Sequence, residues 1–219
     1  MDRAETTQGE AARAPGPGRR TGGEGDRYSI RPLDGTTWPA FARLVEKHNG
    51  VWGGCWCTWF HTMPAEKSRT YEGNRDLKER LVRQGGAHAA LVFAGAEAVG
   101  WCQFGSPGEL PNIYHRKEYQ AGQVTAPDYR ITCFFVDRDH RRRHVAAAAL
   151  SGALDLIAAA GGGVVEAYPQ DTPGKRVSGS LLYSVTRQMF EGAGFSFDRP
   201  KGQHHCVMRK VVSPQSPSP

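Results

Sequence analysis

The sequence predicts an α/β protein of the α+β type, in which a mixed, mostly antiparallel sheet carries helices on both faces. Two observations favour this class. Short runs rich in β-branched and aromatic residues alternate along the chain with Ala- and Leu-rich runs of helical length. Gly, Asn and Pro residues stand between these runs as turn and cap signals. The predicted elements follow the order βα(α), ββ, βα, βα, ββ, and this order predicts helices that pack on one sheet.

Composition divides the 219 residues into one domain and two tails. Residues 1–26 are rich in Gly, Ala, Arg, Glu and Pro and lack the apolar surface that would offset the entropy of ordering. Residues 213–219 alternate Ser and Pro, and both ends are therefore predicted to be disordered. The folded domain is expected at 27–212.

Each predicted element has a local signal. The predicted strands are 28–33, 89–93, 98–104, 131–136, 164–168, 195–197 and 206–208. The predicted helices are a first one from Thr36 or Thr37 to a stop at Asn49-Gly50, and then 64–83, 145–160 and 181–191. A long polar loop is predicted at about 105–129.

Charge and cysteine content limit the function classes. The net charge of +6 suits a nucleic acid or a polyphosphate ligand equally well. A membrane span needs about 20 apolar residues and a signal peptide needs an apolar region, and neither pattern is found, so a cytoplasmic protein with no membrane partner is expected. The five cysteines are then expected as thiols.

The most informative segment is the junction between the strand at 131–136 and the following Ala-rich helix. Asp137 to His140 turns the chain, and Arg141-Arg142-Arg143-His144-Val145-Ala146 opens the helix. A helix start presents unpaired N–H groups and a positive dipole end, where a diphosphate fits, and arginine pairs with phosphate in bidentate fashion. The alternative is a plain Ala-rich helix with a solvated basic cap.

This junction resembles the acetyl-CoA signature of the GNAT acetyltransferase superfamily, a strand followed by Arg/Gln-x-x-Gly-x-Gly/Ala and a helix. Arg141 takes the first position of that pattern, Ala146 takes the last, and His144 replaces the usual Gly. The resemblance implies that Phe134 and Val136 bind the pantetheine arm. It also implies that residues 141–146 (Arg141, Arg142, Arg143, His144, Val145, Ala146) bind the phosphates, with a splay between 131–136 and 164–168.

A second segment, from Tyr183 to Phe195, is similar to the family signature Asn-x-x-Ala-x-x-x-Tyr-x-x-x-Gly-Phe. Phe190 occupies the place of the Tyr that is the family's proposed general acid, so that role is not carried over to it. Tyr183 lies about two helical turns earlier on a similar face and is the candidate acid in its place. An ordinary half-buried tyrosine is the alternative.

The resemblance implies acetyl transfer from acetyl-CoA to an amine in a ternary complex, and Glu166 is the first candidate for the base. It lies within the apolar strand Val164 to Tyr168, where a carboxylate is costly unless it is paired or used. A structural ion pair with Arg or Lys is the alternative. Tyr168 lies two residues further on the same face and could line the acceptor pocket.

The aromatic segment from Trp52 to Phe60 supports two interpretations. The four rings either wall an acceptor pocket, since apolar aromatic lining is typical of small-molecule sites, or form a satellite core; they are Trp52, Trp56, Trp59 and Phe60. A metal site is not expected, because Cys55 and Cys57 are separated by one residue and lack a matching second pair.

Three function classes therefore remain. The first is an N-acetyltransferase acting on a small-molecule amine or on a protein or peptide amine. The second is a non-catalytic acyl-CoA-binding or sensor module. A nucleic-acid-binding protein ranks third, because no second basic stripe with interleaved aromatics accompanies the Arg run. Two-fold homodimers are the commonest soluble oligomers, so a homodimer is one expectation for the assembly.

Overall fold

A computed structural model of the chain describes residues 28–171 and 185–216. The strands are β1 (Ser29–Pro32), β2 (His88–Ala94), β3 (Glu97–Gly105), β4 (Tyr129–Val136), β5 (Gly163–Ala167), β6 (Ser196–Lys201) and β7 (His205–Val212). The helices are α1 (Trp38–Lys47), α2 (Tyr71–Arg83), α3 (Arg116–Ala121), α4 (Val145–Ala159) and α5 (Arg187–Gly192). The predicted tail at 1–26 lies outside the described residues.

The described strands form one seven-stranded sheet in the order β1-β2-β3-β4-β5-β7-β6. Only the pair β4 and β5 is parallel among them, and the other neighbours run antiparallel. A mixed, mostly antiparallel sheet is thus confirmed. The parallel pair is joined through α4, as a parallel connection requires a crossover.

Two core clusters cover the two faces of the sheet, as strand alternation requires. Ala90 and Val92 of β2 face a cluster that contains Leu150 and Ile157 of α4. Leu91 of β2 faces the opposite cluster, which contains residues of α1 such as Phe41. Helices therefore pack on both faces, and the prediction of that layering is confirmed.

The start of α4 packs closely on the sheet. A Cβ atom at Gly100 of β3 would lie 2.7 Å from Val145 Cγ1 and 2.8 Å from Phe135 O. Contacts this short would force the helix away, so the absence of a side chain at Gly100 lets α4 begin directly over β3 and β4. This approach fixes the position of the turn that precedes α4.

Two predicted segments differ from the structure. The predicted loop at 105–129 contains the helix α3, whose Tyr119 is buried. The predicted helix at 64–83 begins at Tyr71, where Thr70 caps it by accepting a hydrogen bond from Gly73 N at 3.1 Å. At the C-terminal end, Gln215 N donates to Ala158 O within a described stretch that has no regular structure.

Candidate active site

The parallel strands β4 and β5 separate after a short paired stretch. Their register runs from Tyr129↔Val165 to Ile131↔Ala167, where β5 ends, while β4 continues to Val136. On its other edge β4 stays paired with β3 as far as Gly100↔Val136. No strand among residues 28–171 and 185–216 pairs with the edge of β4 beyond Ile131 that faces β5, and this is the splay expected between 131–136 and 164–168.

A β-bulge marks the point where the splay begins. Cys133 pairs with Gln103 and Ile131 pairs with Phe104, so Thr132 is the extra residue in β4. Thr132 Oγ1 accepts a hydrogen bond from Gln103 Nε2 at 3.1 Å. Bulges are common next to functional sites, and this one lies where β5 leaves β4 while the pairing of β4 with β3 continues.

A cavity of about 650 Å³ opens between the free part of β4 and the start of α4. Seven of the eight residues predicted to bind the donor line it: Phe134, Val136, Arg141, Arg142, His144, Val145 and Ala146. Arg143 is exposed and lies outside the lining. The remaining lining residues are Trp52, Phe135, His140, Ala147, Val185 and Met189.

The turn before α4 uses left-handed backbone at two residues that are not glycine. Arg142 and His144 both have φ of 60°. His144, which replaces the Gly of the family pattern, occupies the left-handed conformation that Gly adopts without strain. Left-handed backbone costs roughly 1–2 kcal/mol for a residue with a Cβ atom.

The N-terminus of α4 faces this cavity. His144 makes no side-chain cap, and the first residues Val145, Ala146 and Ala147 all line the cavity. The first N–H groups of a helix have no partner within it, so they are available to an anion. Arg141 and Arg142 add positive charge at the same place.

Asp137 stabilises the turn before α4 through hydrogen bonds to its carboxylate. Its carboxylate accepts hydrogen bonds from Lys47 Nζ at 2.7 Å and from Asp139 N at 3.0 Å. Burial opposes ionisation of this carboxyl, but these hydrogen bonds outweigh it and hold the pKa of Asp137 below its ordinary value. Asp137 is therefore an anchor of the turn, in agreement with a shaping role.

Glu166 lies fully buried on β5, beside the closed end of the splay. Its Oε2 accepts hydrogen bonds from Tyr119 Oη at 2.7 Å and from Tyr168 Oη at 3.0 Å. Burial raises the pKa of the Tyr168 hydroxyl well above its ordinary value, and the neighbouring Glu166 charge adds to the effect. Both tyrosines are thus neutral hydrogen-bond donors to the carboxylate.

Arginines from three strands surround this carboxylate. Arg209 Nε lies 3.7 Å and Arg199 Nη1 lies 3.9 Å from Glu166 Oε1. Arg130 is the partner of Glu166 in the β4–β5 register and donates to Leu110 O at 2.7 Å. The ion-pair alternative for Glu166 is therefore present in the structure, and Tyr168 belongs to the same network. We call these six residues the Glu166 network: Tyr119, Arg130, Glu166, Tyr168, Arg199 and Arg209.

The tryptophan side chains of the segment from Trp52 to Phe60 do not all lie where the sequence predicted. Trp56 is fully buried in the core, with its ring 5.9 Å from Trp38 and 5.5 Å from Tyr71, so the expectation that it lines a pocket is wrong. Trp59 stacks on Tyr114 at 3.8 Å under the Lys67 ammonium, and no described cavity includes it. Trp52 instead lines the donor cavity and is 37% exposed.

A second buried cluster lies beside the bulge on the same face of the sheet. Lys78 of α2 is 1% exposed and donates to Gln103 Oε1 at 2.6 Å. His61 Nδ1 contacts Glu109 O at 2.9 Å, and its Nε2 lies 3.1 Å from Lys78 Nζ. Burial lowers the pKa of Lys78 from its ordinary value, since its hydrogen-bond partners are neutral. Sequence patterning offers no signal for this lysine, which lies in a highly charged helix.

Two residues of the second predicted signature remain, Tyr183 and Phe190. Tyr183 lies outside the described residues, so its role stays a prediction. Phe190 is buried with its ring centroid 6.0 Å from that of Phe134. Within 28–171 and 185–216, no group of three or more His, Cys, Asp or Glu side chains could hold a metal ion. None of the helices in those ranges is long and apolar enough to cross a membrane.

Comparison with known proteins identifies the fold. No protein-family model matches the sequence, and no curated protein matches it significantly. A crystal structure from Desulfovibrio desulfuricans, described as of the GNAT family of acetyltransferases, superimposes with a TM-score of 0.50 at 16% identity, covering 85% of this chain and 99% of that one.

Two further structures cover similar shares at lower scores. The acetyltransferase of the GNAT family from Streptococcus pneumoniae has a TM-score of 0.48 and 11% identity, over 85% of this chain and 99% of its own. The ribosomal-protein-S18-alanine N-acetyltransferase of Escherichia coli has a TM-score of 0.47 and 10% identity, over 88% and 98%. The seven-stranded sheet with its splayed parallel pair therefore has the fold of the GNAT acetyltransferases.

Proposed function

We propose that this protein is an N-acetyltransferase that transfers an acetyl group from acetyl-CoA to a primary amine. One observation carries the proposal. The unpaired edge of β4 beyond Ile131 runs into a cavity of about 650 Å³ that ends on the N-terminus of α4. An extended chain with amide groups matches the first part of this surface, and a diphosphate matches the second.

The residues that line the cavity fit acetyl-CoA as the acetyl donor. The edge of β4 supplies backbone N–H and C=O groups to the pantetheine amides, and the start of α4 with Arg141 and Arg142 supplies the phosphate contacts. Phe134 and Val136 lie along the free part of β4. A backbone N–H of that free edge polarises the thioester carbonyl.

The acceptor amine then attacks the carbonyl carbon in a ternary complex. A C–N bond forms, the C–S bond breaks, and its electron pair leaves on the CoA sulfur as a thiolate. Glu166 accepts the amine proton through Tyr168, whose hydroxyl donates to Glu166 Oε2 at 3.0 Å and takes up the amine proton as it releases its own. The thiolate takes its proton from water or from Tyr183.

Calorimetric titration with acetyl-CoA and a thiol-release assay across a panel of amines test the proposal together. We expect acetyl-CoA to bind and at least one class of primary amine to release CoA thiol. Absence of binding at millimolar acetyl-CoA would contradict both acyl-CoA-dependent functions and leave the nucleic-acid interpretation. In an active protein, Glu166→Gln should alter the pH–rate profile, and an unchanged profile would remove Glu166 as the base.

A non-catalytic acyl-CoA-binding module is the second candidate, and the Glu166 network favours it. Two tyrosines donate to one oxygen of this carboxylate, and two arginines lie within 4 Å of the other, which is the geometry of a structural ion pair. This candidate predicts acetyl-CoA binding with no thiol release for any amine. The two assays above therefore separate the two candidates.

A further inference from the structure

Lys201 is a second buried lysine, besides Lys78. It lies next to Tyr168 of the Glu166 network, where the acceptor amine is proposed to approach. Lys201 ends β6 and is 3% exposed, and its Nζ lies 5.2 Å from the centre of the Tyr168 ring. Within residues 28–171 and 185–216, no carboxylate lies within salt-bridge distance of this ammonium, and no group accepts a hydrogen bond from it. A lysine on so buried a residue, with the Tyr168 ring as the partner of its ammonium and no carboxylate in reach, suits an anionic ligand.

His205 contributes a second polar group at the same place. It pairs with Lys201 across the β6–β7 register, and its Nε2 is buried with no hydrogen-bond partner among the described residues. The His115 ring lies 6.4 Å away from that of His205, centre to centre. A lysine ammonium and an imidazole N–H that converge from adjacent strands suit a carboxylate, which accepts several hydrogen bonds at once.

The charge balance around Tyr168 also favours an anion. Arg130, Arg199 and Arg209 lie around one buried carboxylate, Glu166, with Asp198 as a further partner of Arg199, and Lys201 adds a fourth cation 5.2 Å from the centre of the Tyr168 ring. The nearest acid to Lys201 on α3, Glu118, is exposed and accepts a hydrogen bond from Gly202 N at 2.9 Å. A negatively charged ligand would therefore enter a region with excess positive charge.

Position connects this site to the proposed reaction. Tyr168 directly follows Ala167, the last residue of β5, which pairs with Ile131 where the splay opens. One aromatic ring thus separates the closed end of the splay from Lys201. We propose that the acceptor is an amino carboxylate, whose carboxylate binds Lys201 and His205 while its amine reaches across Tyr168 to the splay.

The same charges assist the proposed transfer. Neighbouring cations disfavour the protonated form of a bound amine, and only the neutral amine attacks. A cationic pocket therefore binds the carboxylate and helps to keep the reacting nitrogen neutral. This inference rests on the proposed acetyl transfer for its kinetic test, but its binding test is independent of catalysis.

Matched pairs of acceptors provide the kinetic test. β-Alanine is compared with ethylamine, 4-aminobutyrate with propylamine, and phenylalanine with phenethylamine, so that each pair differs only in the carboxylate. A charge-assisted hydrogen-bonded pair is worth about 1.5–3 kcal/mol, so for at least one pair we expect kcat/KM to favour the amino carboxylate by about 10- to 100-fold. A preference for the uncharged amine in every pair would overturn the inference.

The variant Lys201→Met should remove this preference, lowering kcat/KM for the amino carboxylate by about tenfold or more beyond any loss for its matched amine. Removing an unpaired buried charge does not threaten folding. Lys210→Met is the matched control, because Lys210 of β7 donates to Ala193 O, away from this site. An equal loss for both members of a pair in Lys201→Met would reduce Lys201 to a structural role and contradict the proposal.

Direct binding distinguishes failure of the site from failure of the proposed reaction. The same amino carboxylates and amines are titrated by calorimetry into the protein saturated with CoA. Binding of an amino carboxylate that Lys201→Met weakens by about tenfold or more supports the site even if no amine is acetylated. If neither the protein nor its variant distinguishes the members of any pair, the site is wrong, whatever the thiol-release assay shows.

Discussion

The proposed donor side and the proposed acceptor side of the splay are built in opposite ways. The donor side consists of the free edge of β4, the N-terminus of α4 and exposed arginines, all within one continuous stretch of chain. The acceptor side consists of buried side chains from α3, β4, β5, β6 and β7, which meet around Glu166 and Lys201. Substitutions on the donor side should therefore change ligand affinity, whereas those on the acceptor side should also change stability.

The largest effect is expected from Glu166→Ala, which tests the acceptor side of this comparison. Removing one partner of a buried charge network leaves the others uncompensated and typically costs about 3–5 kcal/mol. We expect a loss of that size in the free energy of unfolding, measured by urea denaturation with tryptophan fluorescence. Glu191→Ala is the control, because its pair with Arg187 is partly exposed and worth less than about 1 kcal/mol. A loss for Glu166→Ala no larger than for Glu191→Ala would refute the network as a stabilising unit.

The next effect concerns the pH dependence of stability. Burial lowers the pKa of Lys201 from 10.5 to about 8, although Cys206 and Glu118 oppose the shift. The unfolded chain then binds more protons than the folded one between these values, so the contribution of Lys201 to the free energy of unfolding rises by up to about 3 kcal/mol from pH 8 to 10.5. Below pH 8 this contribution is constant.

The measurement is the difference between the pH curves of the wild type and Lys201→Met. The subtraction is needed because Lys78 and the tyrosines also titrate at alkaline pH. We expect the variant to lose the alkaline rise and to be more stable than the wild type at neutral pH. Parallel curves would show that Lys201 is not buried without a partner in solution.

On the proposed donor side, Arg141→Ala and Arg143→Ala form a matched pair of exposed residues in the same turn. Arg141 lines the cavity and Arg143 does not. A lost charge-assisted phosphate contact corresponds to about tenfold in affinity, so we expect acetyl-CoA to bind about tenfold more weakly to Arg141→Ala. Arg143→Ala should bind acetyl-CoA within twofold of the wild type, and both variants should keep the wild-type unfolding midpoint. Equal losses of affinity would indicate a diffuse electrostatic effect instead of a contact.

The smallest expected effect is a gain, from His144→Gly. This residue holds φ of 60°, a conformation that Gly adopts without strain. Relief of the left-handed backbone, offset by the greater entropy of Gly in the unfolded chain, should raise the free energy of unfolding by about 0.5–1 kcal/mol. Arg143→Gly, at a residue with ordinary φ, should instead lower it. Destabilisation by both changes would mean that the His144 side chain contributes contacts that exceed the strain.

The sequence by itself predicted the parts that depend on local chemistry. Apolar periodicity and turn residues located the strands and α4, and the strand with the Arg-rich turn after it located seven of the residues that line the cavity. These predictions hold because a strand followed by a tight turn and a helix start is contiguous in the chain. Its N–H groups and charges then point the same way whatever packs around them.

The predictions failed where no repeating backbone geometry exists. Trp52 and Trp56 are equally aromatic, and both lie in a segment with positive φ at Val51, Trp52, Trp56 and Cys57. Without a helical or strand period, residue spacing does not tell which ring enters the core and which lines a cavity. Only the packed structure assigns Trp56 to the core and Trp52 to the cavity.

The acceptor side depended on tertiary structure most of all. The sequence singled out Glu166 as a carboxylate in an apolar strand, but its partners Tyr119, Arg199 and Arg209 lie 47, 33 and 43 residues away along the chain. A buried charge is stabilised by whatever the fold brings within about 4 Å, and that information is non-local. Sequence therefore determined where the proposed acetyl-CoA site lies, and the tertiary structure alone decided which charges surround Glu166.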